Sequence, residues 1–138
     1  MTQLPGVAAR ILIVEDEGII ANHIASLLQK AGYEVAGIAA SSEEVFAIIV
    51  ERPPDLILMD IHIDGLLDGI ETAEKILQNL SIPIVYLSAY SDRLTIDRAK
   101  ATGPFQFLTK PIDWTRLFAS IDEAIEKHHP PKVSLQPA

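Results

Sequence analysis

Short apolar runs alternate with longer segments of helical periodicity along this chain, and few folds accept that order. The runs fall at residues 11–14, 34–39, 56–59, 84–87 and 105–108. Most are apolar at every position rather than at every second one, as strands covered on both faces must be, so a parallel sheet is expected. Between the first two runs Ile20, Ile24, Leu27, Leu28 and Ala31 form one helical stripe, which Gly32 can end by taking a left-handed conformation. A second helix opens with Ser41 and has Glu44 three positions on, the pattern of a capping box, followed by Val45, Ile48 and Ile49. A third carries Ile70, Ala73, Leu77 and Leu80, and the last carries Trp114, Leu117, Phe118, Ile121 and Ile125. The fourth, at 92–101, has only Leu94, Ile96, Ala99 and Ala101 and no clean stripe, so it should be weakly anchored and mobile. Five strands alternating with five helices predict a doubly wound α/β fold, because right-handed crossovers place helices on both faces of the sheet.

The 138 residues leave room for one domain, and 49% apolar with 22% charged residues supplies a core. The expected division is an arm at 1–9, the domain at 10–127 and a Pro-rich tail or linker stub at 128–138. The longest segment free of Asp, Glu, Lys and Arg, 76–91, is too short and polar to cross a bilayer, and residues 1–10 lack the pattern of a secretory signal. No membrane partner is expected. Nineteen acidic against eleven basic residues give a net charge of −8, which argues against direct nucleic-acid binding. The absence of cysteine removes thiol chemistry and fits a reducing compartment, so the cytoplasm is the expected location.

Open sheets of this kind place their sites at the carboxyl ends of the strands, near the point where strand order reverses. Polar residues gather there: Glu15, Asp16 and Glu17 after the first strand, Asp60 after the third, Ser88 after the fourth, and Thr109, Lys110 and Pro111 after the fifth. Taken singly each has an ordinary role. The acidic trio would complement a helix N-terminus, Ser88 would begin a turn, and Lys110 would be a surface charge. Brought together by the topology, they are a site. Two carboxylates about 4–5 Å apart repel by roughly 3–4 kcal/mol at an effective dielectric near 20. Lys110 offsets one of the three charges on Glu15, Asp16 and Asp60, and a divalent cation would offset the remaining two. Oxygen-only ligands point to Mg²⁺. An Asp carboxylate is a phosphoryl nucleophile, and a cation with a lysine supplies the preset positive charge such a transfer needs.

These residues resemble the receiver domain of two-component response regulators. The resemblance spans about residues 10–127. It rests on Ile11-Leu12-Ile13-Val14-Glu15-Asp16-Glu17, Pro54-Asp55-Leu56-Ile57-Leu58-Met59-Asp60, Ser88-Ala89 and Lys110-Pro111, separated by 44, 28 and 22 positions from Asp16 to Asp60 to Ser88 to Lys110. It implies a flavodoxin-like sheet of order 2-1-3-4-5. It also implies that Asp60 accepts a phosphoryl group from a phosphohistidine on a sensor histidine kinase or phosphotransfer protein. Glu15, Asp16, Asp60 and the backbone carbonyl of His62 would hold Mg²⁺, Lys110 would pair with the carboxylate and then the phosphoryl group, and Ser88 would turn toward the phosphate. Phe107 would be the coupled aromatic switch, the Lys110–Pro111 bond would be cis, and His62 and Tyr90 would tune the lifetime of the phosphoryl group. Such a domain is a signalling switch that assists its own phosphorylation and dephosphorylation, and is not otherwise an enzyme.

The chain departs from the family pattern at several positions. Glu15 stands where Asp is more frequent, so its longer arm would reach a metal through water. Ser88 replaces the commoner Thr, and Phe107 lacks the hydroxyl of the Tyr often found there. The loop Ile63-Asp64-Gly65-Leu66-Leu67 lacks the usual Pro and puts Asp68-Gly69 one residue farther from Asp60 than usual. Asp60 to Gly65 contains Asp-x-x-x-Asp-Gly but lacks the remaining ligands of a calcium loop. His23 and the pair His128-His129 read as solvated residues, and Trp114 and Phe118 as helix packing. A homodimer through the fourth and fifth helices is a further partner to consider. The competing readings are a receiver-like interaction domain that does not use phosphate, and a phosphohydrolase or flavin enzyme. The latter lacks both the second catalytic Asp and a phosphate loop after the first strand.

Overall fold

Each strand is joined to the next by a helix, and all four strand pairings are parallel. The computed structural model describes residues 8–89 and 92–128. In chain order the elements are β1 (Arg10–Val14), α1 (Gly18–Lys30), β2 (Glu34–Ala39), α2 (Ser42–Glu51) and β3 (Leu56–Asp60). Then follow α3 (Gly69–Leu77), β4 (Ile84–Ser88), α4 (Arg93–Ala101), β5 (Gln106–Thr109) and α5 (Trp114–His128). The sheet order is β2-β1-β3-β4-β5, the doubly wound topology expected, and it reverses direction between β1 and β3.

The uninterrupted apolar runs are explained by two cores, one on each face. Leu12, Val14, Ile57, Met59, Ile84 and Tyr86 point into one, against Val45, Ile49, Ile70, Ala73, Ile76 and Ala99 of α2, α3 and α4. The intervening residues Ile11, Ile13, Leu56, Leu58, Val85 and Leu87 point into the other, against Ala21, Ile24 and Leu28 of α1 and Leu117, Ile121 and Ala124 of α5. Each large side chain removed from water stabilises the fold by about 1.5–3 kcal/mol before entropy is counted, so β1, β3 and β4 are the most firmly held elements. Helix α4 contributes only Ala99 to the buried set.

Element ends differ from the sequence reading by a residue or so. β3 and β4 run on to include Asp60 and Ser88, β5 starts and ends one residue later, and α5 continues through His128. Leu80 lies beyond the end of α3, yet its N–H still reaches the Ile76 carbonyl and its side chain packs on the core. Gly32 ends α1 at φ +98. Ser41 caps α2 by accepting from the Glu44 N–H, but the Glu44 carboxylate takes the N–H of Ala40 rather than that of Ser41. The reciprocal capping box is at α3, where Asp68 accepts from Glu71 N–H and Glu71 accepts from Asp68 N–H.

Candidate functional site

The site forms along the carboxyl edge of the sheet, where the adjacent strands β1, β3, β4 and β5 end. Val14 pairs with Met59, so Glu15 and Asp60 leave adjacent strands together; Ser88 pairs with Thr109, which brings Lys110 to the same edge. The Lys110 N–H donates to the Ser88 carbonyl at 2.8 Å, and the Lys110–Pro111 peptide is cis.

Lys110 Nζ donates to Glu15 Oε1 at 2.9 Å and to Asp60 Oδ2 at 3.2 Å. Ligand oxygens of Glu15, Asp16 and Asp60 all lie within 4.8 Å of one another. Opposite ligands of an octahedral Mg²⁺ stand about 4.2 Å apart, so this oxygen set fits a hard divalent cation with little movement. Both Glu15 oxygens already have donors, Oε1 from Lys110 and Oε2 from the Glu17 N–H at 3.1 Å. Each oxygen keeps a second lone pair, so these donors leave room for a cation held by Glu15 either directly or through water. Asp60 Oδ1 accepts the His62 N–H at 3.3 Å, which aims the carboxylate along the loop that follows.

The electrostatics follow from burial and from the count of three anions to one cation. Burial and the Glu15 charge push the Asp60 carboxyl up to about 6, against the opposing pull of Lys110. Asp16, although exposed, is also raised, first by partial desolvation and then by Asp64 and Glu15. Burial pulls the Lys110 ammonium down, but its hydrogen bond to Glu15 and the charges of Asp60 and Glu15 outweigh that and hold it above its ordinary value. The group is short of positive charge.

Ser88 is fully buried at the end of β4. Phe107 is half-buried on β5, its ring centroid 6.1 Å from that of Tyr86, its register partner on β4. The His62 side chain is exposed, and Tyr90 lies outside the described residues. His23 is exposed on α1 with its ring 5.3 Å from that of Trp114, which in turn lies 6.3 Å from Phe118. Two features were missed in the sequence. Asp64 acts electrostatically on Asp16, and the Asp-Gly that follows Ile63 was the available signal. Tyr86 sends its hydroxyl to Thr102 at the C-terminal end of α4, a pairing that no local pattern announces.

The response regulator receiver domain family model matches residues 11–122. Among curated proteins the chain is 35% identical over 121 residues to the transcriptional regulatory protein PdtaR of Mycobacterium tuberculosis, covering 88% of this chain and 58% of that protein. It is 34% identical to the phosphate regulon transcriptional regulatory protein PhoB of Pseudomonas aeruginosa, over 90% of this chain and 55% of the other. The chain thus spans a little over half the length of these relatives. Both are transcriptional regulators by name, and the charge argument against a nucleic-acid partner gains no support from them. The signal receiver domain of a modulated diguanylate cyclase from Desulfovibrio desulfuricans superposes with a TM-score of 0.81 at 36% identity, over 88% of this chain and 96% of that one. The receiver domain of Erythrobacter litoralis PhyR gives 0.78 at 30% identity, over 90% and 95%. Among the described residues no helix is long and apolar enough to cross a membrane. With the family model matching most of its length and the sheet order the same as expected for such domains, the chain belongs to the response regulator receiver family.

Proposed function

We propose that this domain is a two-component signalling switch in which Asp60 accepts a phosphoryl group from a phosphohistidine of a sensor histidine kinase or phosphotransfer protein. The observation that carries the reading is the meeting of Glu15, Asp16 and Asp60 with Lys110, whose Nζ stands 3.2 Å from the acceptor carboxylate. In the transfer an Asp60 carboxylate oxygen attacks phosphorus, the P–N bond to the donor imidazole breaks, and the imidazole leaves with that electron pair. Lys110 is placed to stabilise charge on the equatorial oxygens. Asp16 and Asp60, with Glu15 through water and the His62 carbonyl, would hold Mg²⁺, which supplies the remaining positive charge. Ser88 would then turn to donate to the phosphoryl group, and Phe107, without a hydroxyl, would follow by packing alone. His62 and Tyr90, two positions past Asp60 and Ser88, would set access of water and so the lifetime of the acyl phosphate.

Acetyl phosphate with Mg²⁺ should add one phosphoryl group to the wild type, read by intact mass, and none to Asp60→Asn. Equal labelling of the two would remove Asp60 from the chemistry. No labelling of either would leave the receiver-like interaction domain as the better reading.

A further inference from the structure

The segment between Asp60 and α3 is the part of the site that departs most from the family pattern, and it is fastened at its base and along its length. At the base the Gly69 N–H donates to the Ile61 carbonyl at 2.7 Å. Farther out Asp64 pairs with Ser41 as a parallel bridge, its N–H donating to the Ala40 carbonyl at 3.0 Å. At the tip Glu43 Oε2 accepts the Leu66 N–H at 3.3 Å, and Ser42 Oγ accepts the Leu67 N–H at 3.4 Å. Gly65 turns the chain there at φ +100, and a Cβ at that position would lie 3.1 Å from the Ser41 Cβ and collide with the Glu43 carboxylate. What this well-fastened turn presents is an apolar side chain: Leu66 is 88% exposed. Single exposed apolar residues are common and need no cause. A leucine at the tip of a turn held by its neighbours on α2 is a different case, because the ordering entropy that a contact normally costs has already been spent in folding.

We propose that Leu66 is a specificity-determining contact for the protein that donates the phosphoryl group. The inference rests on the function proposed above. Direct transfer requires the donor's imidazole to reach Asp60, so the donor must cover the surface around that residue. An interface of ordinary size buries roughly 800 Å² on each partner, a disc of about 16 Å radius. Leu66 is three residues from Gly69, at most about 11 Å of extended chain, and Gly69 closes on Ile61 beside Asp60, so Leu66 falls within that footprint. Leu66 touches none of the reacting groups; its effect is on docking.

The test compares two donors on the same variants. Acetyl phosphate needs no docking surface, whereas an autophosphorylated histidine kinase does. The sensor kinases encoded in the same genome are each loaded with labelled ATP and assayed against the wild type, Leu66→Ser and Leu66→Met. For the kinases that label the wild type, Leu66→Ser should lower kcat/KM by roughly ten-fold, carried in KM, and Leu66→Met should restore most of it. Acetyl phosphate labelling should be the same for all three proteins. Unchanged kinase transfer to Leu66→Ser overturns the proposal, as does an equal loss with both donors, which would make the effect structural. A genome-wide panel in which no kinase labels a wild type that acetyl phosphate does label also overturns it, and points to another occupant such as a second copy or a downstream target. Failure of acetyl phosphate on the wild type instead strikes the proposed function, and the inference with it.

Discussion

At the scale of single residues the site is an electrostatic compromise. Asp60 is pushed up to about 6 because burial and Glu15 outweigh Lys110, so in the absence of metal its charge at neutral pH costs the folded state energy. Asp60→Asn should therefore stabilise the metal-free protein by about 1–2 kcal/mol, raising Tm by several degrees in EDTA, and the gain should shrink as Mg²⁺ is added. Removing the opposite charge should do the reverse. Lys110→Met leaves Glu15 and Asp60 facing each other nearly buried and should destabilise by about 3 kcal/mol, with much of the loss recovered in the double variant Lys110→Met/Asp60→Asn. Urea titrations of the four proteins close that cycle; additive single effects would mean that the two groups do not interact. Tyr86 offers a pH signature away from the metal ligands. Thr102 Oγ1 gives its proton to the Ala99 carbonyl at 2.7 Å, so Tyr86 must be the donor in the 2.8 Å bond between the two hydroxyls. Burial raises the Tyr86 phenol to about 12, where an unfolded tyrosine ionises near 10. The preference for the neutral form contributes fully below pH 10 and is lost as pH rises through 12, on the order of 2–3 kcal/mol in all. Absorbance titration at 295 nm should show a late phenol in the wild type that is lost in Tyr86→Phe.

At the scale of elements, the sequence announced strands and helices well and their connections poorly. Strands buried on both faces are legible because every residue from Leu56 to Met59 must be apolar, and helices α1 and α5 because each presents one stripe to one core. The placement of Glu15, Asp60, Ser88 and Lys110 at strand ends followed from the same alternation, since a run of apolar residues stops where the sheet stops. The loop after Asp60 was not legible. Its course depends on side chains of Ser42 and Glu43, more than twenty positions away, and nothing in its own residues predicts them. The same holds for Asp68, which caps α3 and also meets Arg98 of α4 at 3.2 Å. Glycine positions along this segment give a ranked prediction. A Cβ at Gly69 would run into the Asp60 backbone carbonyl, which cannot move without moving the acceptor. A Cβ at Gly65 would meet the movable end of Glu43 in a conformation that L residues rarely adopt, while one at Gly32 would share that conformation but meet nothing within 4 Å. Replacement by Ala should cost about 1 kcal/mol at Gly32, about 2 at Gly65, and most at Gly69. Thermal denaturation would read the order, and only Gly69→Ala should also lower labelling by acetyl phosphate.

At the scale of the whole molecule, the sheet divides the protein into two cores of unequal reach, and the difference sets where it can yield. On the side of α1 and α5 both helices bury several residues each, whereas on the other side α2 and α3 are well covered and α4 gives the core Ala99 alone. Beside the half-buried Ile96, polar contacts hold α4: Asp92 capping its first turn through the Thr95 N–H, the Arg98–Asp68 ion pair, and the hydroxyl chain from Tyr86 to Thr102 at its far end. An exposed ion pair contributes at most about 1 kcal/mol and a single hydrogen bond about as much, so these ties are cheap to break compared with the burial that secures β1 or β3. Opening should therefore be graded. In native-state hydrogen exchange the amides of α4 should exchange by local opening at a free energy several kcal/mol below that of β1, β3 and β4, which exchange only on global unfolding. Tyr86→Phe should lower the α4 value further, by about 1 kcal/mol, and leave the central strands shifted only by the loss in overall stability. If α4 and the central strands exchange with one common free energy, the helix is not the weak element that its single buried side chain makes it.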